Sequence, residues 1–350
     1  MSALRLNDPA PIDRDVALSP EWLTTAMQRA YPGVEISAVT VLGEMKTLAT
    51  KLRFEVEYSE APGDPPATLF MKGFFGEGAE ARAWIGEPEA RFFSELAPML
   101  DARIPRAVYA ATDDRTRHGL VILHDLVAEG AHFLTALSPY TVDQVEATLA
   151  ELAKVHARLW DSPALDNGWL EPEVRKFTDY RPVEEVQHLL DGERGTPLPS
   201  QVKDAERLRN AVIQVFAQTE RERRCLVHGD AHAGNLYLDA DGDPGIVDWQ
   251  IVSRGHWSFD VAYHVAAALE VPDRERAEVD LVRSYLDRMR GYGVDIPRWD
   301  DAWRAYQRAL VYGYNLWVVT TTVDPRITHE FVYRLGTAAA AHGSMDLLGV

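Results

Sequence analysis

One cysteine, Cys225, stands in 350 residues, which excludes an intrachain disulfide and makes a reducing compartment the expected setting. Basic residues are scarce against acidic ones, 36 Lys and Arg to 54 Asp and Glu, for a formal charge of −18. Nucleic acid and anionic membrane surfaces both reward positive charge, so neither is expected as a partner. The acidity would suit a cationic substrate, but solubility alone accounts for it. No apolar run approaches the roughly 18 residues of a membrane span. Met1–Asp15 carries three Asp and no apolar centre, so it does not read as a signal peptide. Internal repeats and low-complexity stretches are absent. A soluble, cytoplasmic protein is expected, long enough for two modest domains.

What is present changes character part-way along. Ser19-Pro20-Glu21-Trp22 reads as a helix start, with Ser19 as cap and Pro20 in the first position. Strands are expected at Ile36–Leu42, Leu52–Tyr58, Thr68–Lys72, Ala107–Ala111 and Leu120–Leu123. Ala79–Leu100 is helical in composition, with Gly86 and Pro88 breaking it in two. Beyond Asp125 helices dominate: Thr141–Trp160, Gln201–Thr219, Asp260–Leu269, Arg274–Met289, Trp299–Thr321 and Arg326–Leu347. Asp161–Pro199 is an irregular excursion with one short helix. The fold class expected is α+β: a small antiparallel-sheet lobe over residues 1–123, a larger, mainly helical lobe over 124–350, and a ligand cleft between them.

The densest signal is Leu226–Gln250, L-V-H-G-D-A-H-A-G-N-L-Y-L-D-A-D-G-D-P-G-I-V-D-W-Q. An apolar run delivers Asp230, Asn235 follows it, and a Gly/Asp-rich turn leads to a second apolar pair ending on Asp248. Phosphoryl transfer needs a carboxylate to receive the acceptor's hydroxyl, and an amide and a second carboxylate to hold metal against nucleotide phosphates. The interval from Asp230 to Asn235 is that of the protein-kinase catalytic loop.

With Glu89-Ala-Arg-Phe-Phe, Leu123-His-Asp-Leu126 and Asp248-Trp-Gln, this pattern resembles the aminoglycoside phosphotransferase and choline kinase superfamily, whose members share the protein-kinase-like fold. The ecdysteroid-kinase-like branch is the nearest in flavour. The resemblance implies an ATP- or GTP-dependent, Mg²⁺-requiring kinase that moves the γ-phosphoryl group to a hydroxyl of a small molecule, as monomer or homodimer. It implies Asp230 as the catalytic base or orienter, and Asn235 and Asp248 as metal ligands. Lys72 would contact the phosphates and Glu89 would pair with it, although Glu80, Glu87 and Glu95 lie close by. Leu123 and Asp125 belong to the connector whose main chain would meet the adenine. Asp260 would brace the catalytic loop.

The phosphate loop departs from the pattern. Leu42–Thr50 contains one glycine, Gly43, and lacks G-x-G-x-x-G, so Thr47 or Thr50 is the candidate phosphate contact. That poverty keeps an inactive nucleotide-binding protein as one alternative. A metal-dependent hydrolase built on His228, Asp230 and His232 is another. The acceptor pocket is expected from Asp161–Pro199 and the last two helices. Trp303, Tyr306, Tyr312, Tyr314 and Trp317 are core or substrate-facing, and the apolar stretch Leu310–Val319 leans toward a rather hydrophobic alcohol.

Overall fold

The computed structural model describes residues 8–76, 78–79, 81–172 and 178–350. Two compact units emerge: one of the described residues up to Leu100 with Ile104–His132 and Asp248–Ile251, the other of Asp101–Arg103, Phe133–Val247 and Val252–Val350. Asp248 therefore packs with the strands, although its chain neighbours before Asp248 pack with the helices.

The first unit carries a five-stranded antiparallel sheet. Its strands are β1 (Glu35–Lys46), β2 (Thr50–Glu60), β3 (Thr68–Gly73), β4 (Ala107–Thr112) and β5 (Gly119–His124), in the order β1-β2-β3-β5-β4. Alternation in β2 sends Leu52, Phe54 and Val56 to one face, where Leu69 and Met71 of β3 and Leu120 and Ile122 of β5 join them. Helix Pro20–Met27 closes this face with Trp22, Leu23, Ala26 and Met27; Ser19 caps it by accepting from the Trp22 N–H. Each large side chain so buried contributes roughly 1.5–3 kcal/mol. The register then dictates the opposite face. Lys51, Lys72 and Val121 form one cross-strand row, and Arg53, Phe70 and Leu123 the next.

The expected loop at Leu42–Thr50 is shorter than the sequence suggests. β1 runs on to Lys46, which pairs with Thr50, leaving only Thr47-Leu48-Ala49 as the connection. A register shift between Val41 and Gly43 absorbs the irregularity that glycine signalled.

Gly86 and Pro88 break the next segment as expected, into a 3₁₀ turn (Ala83–Gly86), a short α-helix (Glu87–Arg91) and a π turn (Phe92–Leu96). Gly86 lies against Gly119 so closely that a Cβ on Gly119 would sit 2.1 Å from the Gly86 carbonyl oxygen. This contact seats the Glu87–Arg91 turn directly on β5.

The second unit is mainly helical: Val142–Arg158, Val183–Asp191, Ala205–Thr219, Ser258–Ala268, Val271–Gly291, Trp299–Val319, Pro325–Ala341 and Ser344–Leu347. Thr141 and Gln144 make a capping box on the first of these. Two expectations need correction. The helix placed from Gln201 begins at Ala205, because Asp204 caps it by accepting from the Arg207 N–H. The single helix Arg326–Leu347 is divided near Gly343, whose left-handed backbone (φ 58°) stops the first piece. Every residue of Ser258–Ala268 is buried, so this helix is the axis of the unit. A two-stranded antiparallel sheet, Cys225–Val227 with Ser253–Gly255, and a three-stranded one in which Leu236–Leu238 pairs with Pro244–Ile246 complete it. Among the described residues no helix is long and apolar enough to cross a membrane.

Candidate active site

On the polar face of the sheet, Lys72 Nζ lies 2.7 Å from Glu89 Oε2 and 2.8 Å from Asp248 Oδ1. The Lys72 and Glu89 side chains are only 6% and 5% exposed, so neither charge has water to fall back on. Burial pulls the Lys72 ammonium down, but the carboxylates of Asp248 and Glu89 outweigh it and hold the pKa above the ordinary lysine value. Burial, with the Asp248 charge, pushes the Glu89 carboxyl up against the pull of Lys72.

Among the described glutamates nearby, Lys72 meets Glu89. Glu87 bonds to Arg91 and Arg117, and Glu95 to Arg91. Glu80 lies outside the described residues.

Asp248 adopts a left-handed backbone, φ 65°. A non-glycine residue pays for that conformation with strain, which is found where a side chain must be aimed. Its neighbour Trp249 is fully buried and stacks on Phe92 at 3.9 Å between ring centroids and 8° between planes, while the Trp249 N–H donates to Glu89 Oε1 at 3.3 Å. Stack and hydrogen bond together fix the direction of Asp248.

The connector residues are ordered by side chains. Asp125 is buried and accepts a two-pronged contact from Arg53, with its Oδ2 at 2.8 Å from the guanidinium, and also accepts from the Val127 N–H. Its carboxylate is thus committed within the protein. Leu123 stands on the lysine-bearing face, beside Phe70. At the hairpin tip the Thr47 hydroxyl donates to the Ala49 carbonyl at 3.3 Å, and Thr50 is a buried residue of β2 opposite Gly73. Thr47 thus bonds within the hairpin connection, and Thr50 belongs to the sheet.

In the second unit the strand Cys225–Val227 ends in a loop hung on one carboxylate. Asp260 is fully buried and accepts from the His228 N–H at 2.6 Å and the Gly229 N–H at 2.8 Å. The left-handed backbone of Gly229 (φ 83°) turns the chain directly after these two contacts. Burial raises the Asp260 carboxyl, but hydrogen bonding and charge from His156, with help from His228 and Gly229, bring its pKa below the ordinary value. His156 Nε2 sits 3.1 Å away and its Nδ1 faces the Tyr285 hydroxyl at 2.8 Å.

The loop so held presents Asp230. Asn235 Nδ2 donates to the Asp230 carbonyl at 2.9 Å and to its Oδ2 at 3.0 Å. Two bonds from the amide nitrogen fix the orientation of the Asn235 side chain and turn Oδ1 away from Asp230, the hard donor a divalent cation takes. The Tyr263 hydroxyl donates to Asp230 Oδ1 at 3.0 Å and accepts from Trp317 Nε1 at 2.6 Å. Burial, then the Asp230 charge, pushes the Tyr263 phenol well above its ordinary pKa, so it stays a donor. Gly313 makes this possible, since a Cβ there would lie 2.5 Å from the Tyr263 ring.

His228 is occupied by main chain, whereas His232 meets main chain through Nδ1 and the Asp230 carboxylate, 3.5 Å away, through Nε2. His228 Nδ1 accepts from the Asp230 N–H, which makes Nε2 the protonated atom, donating to the Val247 carbonyl at 2.9 Å. His232 Nδ1 accepts from the Gly234 N–H. With both His228 nitrogens committed, the triad a hydrolase would need is not assembled, and among the described residues no three His, Cys, Asp or Glu gather as a metal site. Within Trp299–Val319, Tyr306, Tyr312, Tyr314 and Trp317 are buried, and the three tyrosine hydroxyls donate to Glu278, the Gly229 carbonyl and the Val202 carbonyl. Trp299 and Trp303 are half-buried.

Sequence reasoning missed Tyr263, His156 and Lys51. Tyr263 follows Asp260 at i+3, on the same helical face, so that spacing was a usable signal. Lys51 shows only in the strand register. His156 has no local signature at all.

One turn along the same helix from Asp260, His264 Nδ1 lies 3.0 Å from the Ala231 carbonyl, and burial pushes its pKa down to about 4. Unfolded, the ring titrates near 6.5, so the unfolded chain binds the extra proton between those values. This contribution to stability is present above about pH 6.5 and is lost as the pH falls toward 4. Between pH 7 and pH 5 it should cost about 2 kcal/mol. His264→Asn keeps a donor for Ala231 and should reduce the pH dependence of the unfolding free energy, measured by urea titration, by that amount. An unaltered dependence would contradict the assignment.

The model of the phosphotransferase enzyme family (APH) matches residues 82–299, and the chain belongs to that family. No curated protein matches it. Among solved structures it is similar to a protein of Ralstonia eutropha JMP134 provisionally named an aminoglycoside phosphotransferase, at 16% identity and TM-score 0.52, over 93% of this chain and 96% of that one. It is also similar to the choline kinase LicA of Streptococcus pneumoniae, at 16% identity and TM-score 0.46, over 92% and 98% of the two chains. The macrolide 2'-phosphotransferase MphH of Brachybacterium faecium matches at 14% identity and TM-score 0.47, over 91% and 97%. The fold is that of kinase-like phosphotransferases, with its antiparallel sheet and mainly helical remainder.

Proposed function

We propose that this protein is a small-molecule kinase that moves the γ-phosphoryl group of ATP or GTP to a hydroxyl group, with residues 1–123 serving the nucleotide and 124–350 the acceptor. The observation that carries the reading is Lys72, buried between Glu89 and the left-handed Asp248. A cation so enclosed is costly unless its position matters, and a nucleotide phosphate is the anion for which it would matter.

Asp230 receives the acceptor hydroxyl and takes its proton, held in direction by Tyr263 and Asn235. Asn235 Oδ1 and the Asp248 carboxylate are the oxygen donors that would hold Mg²⁺, a hard cation suited to such ligands. When bound, that ion supplies charge neutralisation on the phosphates. Lys72 binds the phosphates, and Glu89 keeps it aimed. Main chain at Leu123–Asp125 would meet the base.

The acceptor is a small hydroxylated molecule. The lean toward a hydrophobic alcohol loses its support with the burial of the Leu310–Val319 aromatics. The intact Asp230 loop favours an active kinase over an inactive nucleotide binder.

Screening hydroxylated metabolites and antibiotics for acceptor-dependent release of nucleoside diphosphate with Mg²⁺ tests the proposal. At least one compound should raise release well above the hydrolytic background. Thermal stabilisation by Zn²⁺ but not by Mg²⁺ with ATP or GTP would reject it in favour of a hydrolase.

A further inference from the structure

We infer that Lys51 is a second phosphate-binding cation, acting beside Lys72 on the polyphosphate of the nucleotide; this rests on the kinase reading above. Lys51 stands directly across from Lys72 in the β2–β3 register. Two like charges placed side by side on adjacent strands repel, and such a pair is normally avoided unless an anion lies between them. Here the anion within the protein is Asp248: Lys72 Nζ is 2.8 Å from its Oδ1 and Lys51 Nζ is 3.4 Å from its Oδ2.

The two lysines are held differently. The Lys72 side chain is 6% exposed and gripped by two carboxylates, whereas that of Lys51 is 28% exposed and reaches Asp248 through one long contact. Lys72 is locked, and Lys51 can exchange its partner.

Charge balance gives the reason for the pair. Lys51 and Lys72 against Glu89 and Asp248 sum to zero. With Lys72 alone the group would be a net anion, set in a chain already at −18, and it would repel a polyphosphate. With Lys51, addition of one divalent cation at Asp248 makes the group doubly positive. With Asp248 holding such a cation, the Lys51 ammonium would be left to pair with a phosphate oxygen. Arg53, two residues along on the same face, is not available for this, because its guanidinium is spent on Asp125.

Binding, which does not depend on turnover, provides the test. Affinities of ATP, GTP, AMP and GMP, each with Mg²⁺, would be measured by calorimetry on the parent, Lys51→Gln and Lys51→Arg. Lys51→Gln should weaken the preferred triphosphate about tenfold or more, leave the matching monophosphate within twofold, and leave the unfolding temperature unchanged; Lys51→Arg should restore most of the loss. Triphosphate affinity unchanged in Lys51→Gln overturns the inference while the kinase reading stands. Equal weakening of triphosphate and monophosphate also overturns it, since Lys51 would then act on the fold. A parent that binds no nucleotide overturns both.

Discussion

Asp230→Asn is expected to lower phosphoryl transfer by roughly 10²- to 10⁴-fold, the usual worth of a positioned acid–base group, with nucleotide affinity within twofold of the parent. The substitution is nearly isosteric. An asparagine at this position can still accept from the Tyr263 hydroxyl, and the loop remains hung on Asp260 through the His228 and Gly229 N–H groups. What disappears is the anionic oxygen proposed to receive the acceptor's proton, along with the carboxylate acceptor of Asn235 Nδ2. The measurement is single-turnover transfer to whichever acceptor the screen identifies, alongside nucleotide titration. Transfer at the parent rate would remove Asp230 from the mechanism and with it the role given to Tyr263.

The second large effect is expected from Lys72→Met. The substitution leaves Glu89 without its cation while the side chain remains 5% exposed. Breaking a buried pair from one side costs about 3–5 kcal/mol. For a chain of this size that lowers the unfolding temperature by on the order of 10 °C. Nucleotide affinity should fall as well. The two consequences separate in the double variant Lys72→Met with Glu89→Gln, which removes the stranded charge. Stability should return by half or more, and nucleotide affinity should not. Recovery of both would mean that Lys72 is a structural group with no phosphate to bind.

Much of the architecture was legible in the chain because it depends on short-range regularities. Ser19 and Thr141 cap helices where a hydroxyl precedes an apolar period, and Gly86 with Pro88 breaks the segment that carries Glu89. Boundaries were read less well where two local signals competed. The Ser200–Val202 turn precedes the true cap at Asp204, and strand pairing overrode the loop expected after Leu42. The aromatic stripe of Trp299–Val319 shows the limit of composition: the same residues suit a pocket or a core, and only their burial separates the two.

By itself, then, the sequence determined which elements form and which chemical groups are present, since capping, alternation and the spacing from Asp230 to Asn235 act over a few residues. Tertiary packing decided which groups touch. Lys51 meets Asp248 across 197 positions and Tyr263 meets Asp230 across 33, through a strand register and a helix face that no local propensity encodes. The reason is physical: a buried charge or hydroxyl must find its partner wherever the folded chain places one, and that placement is a property of the whole core.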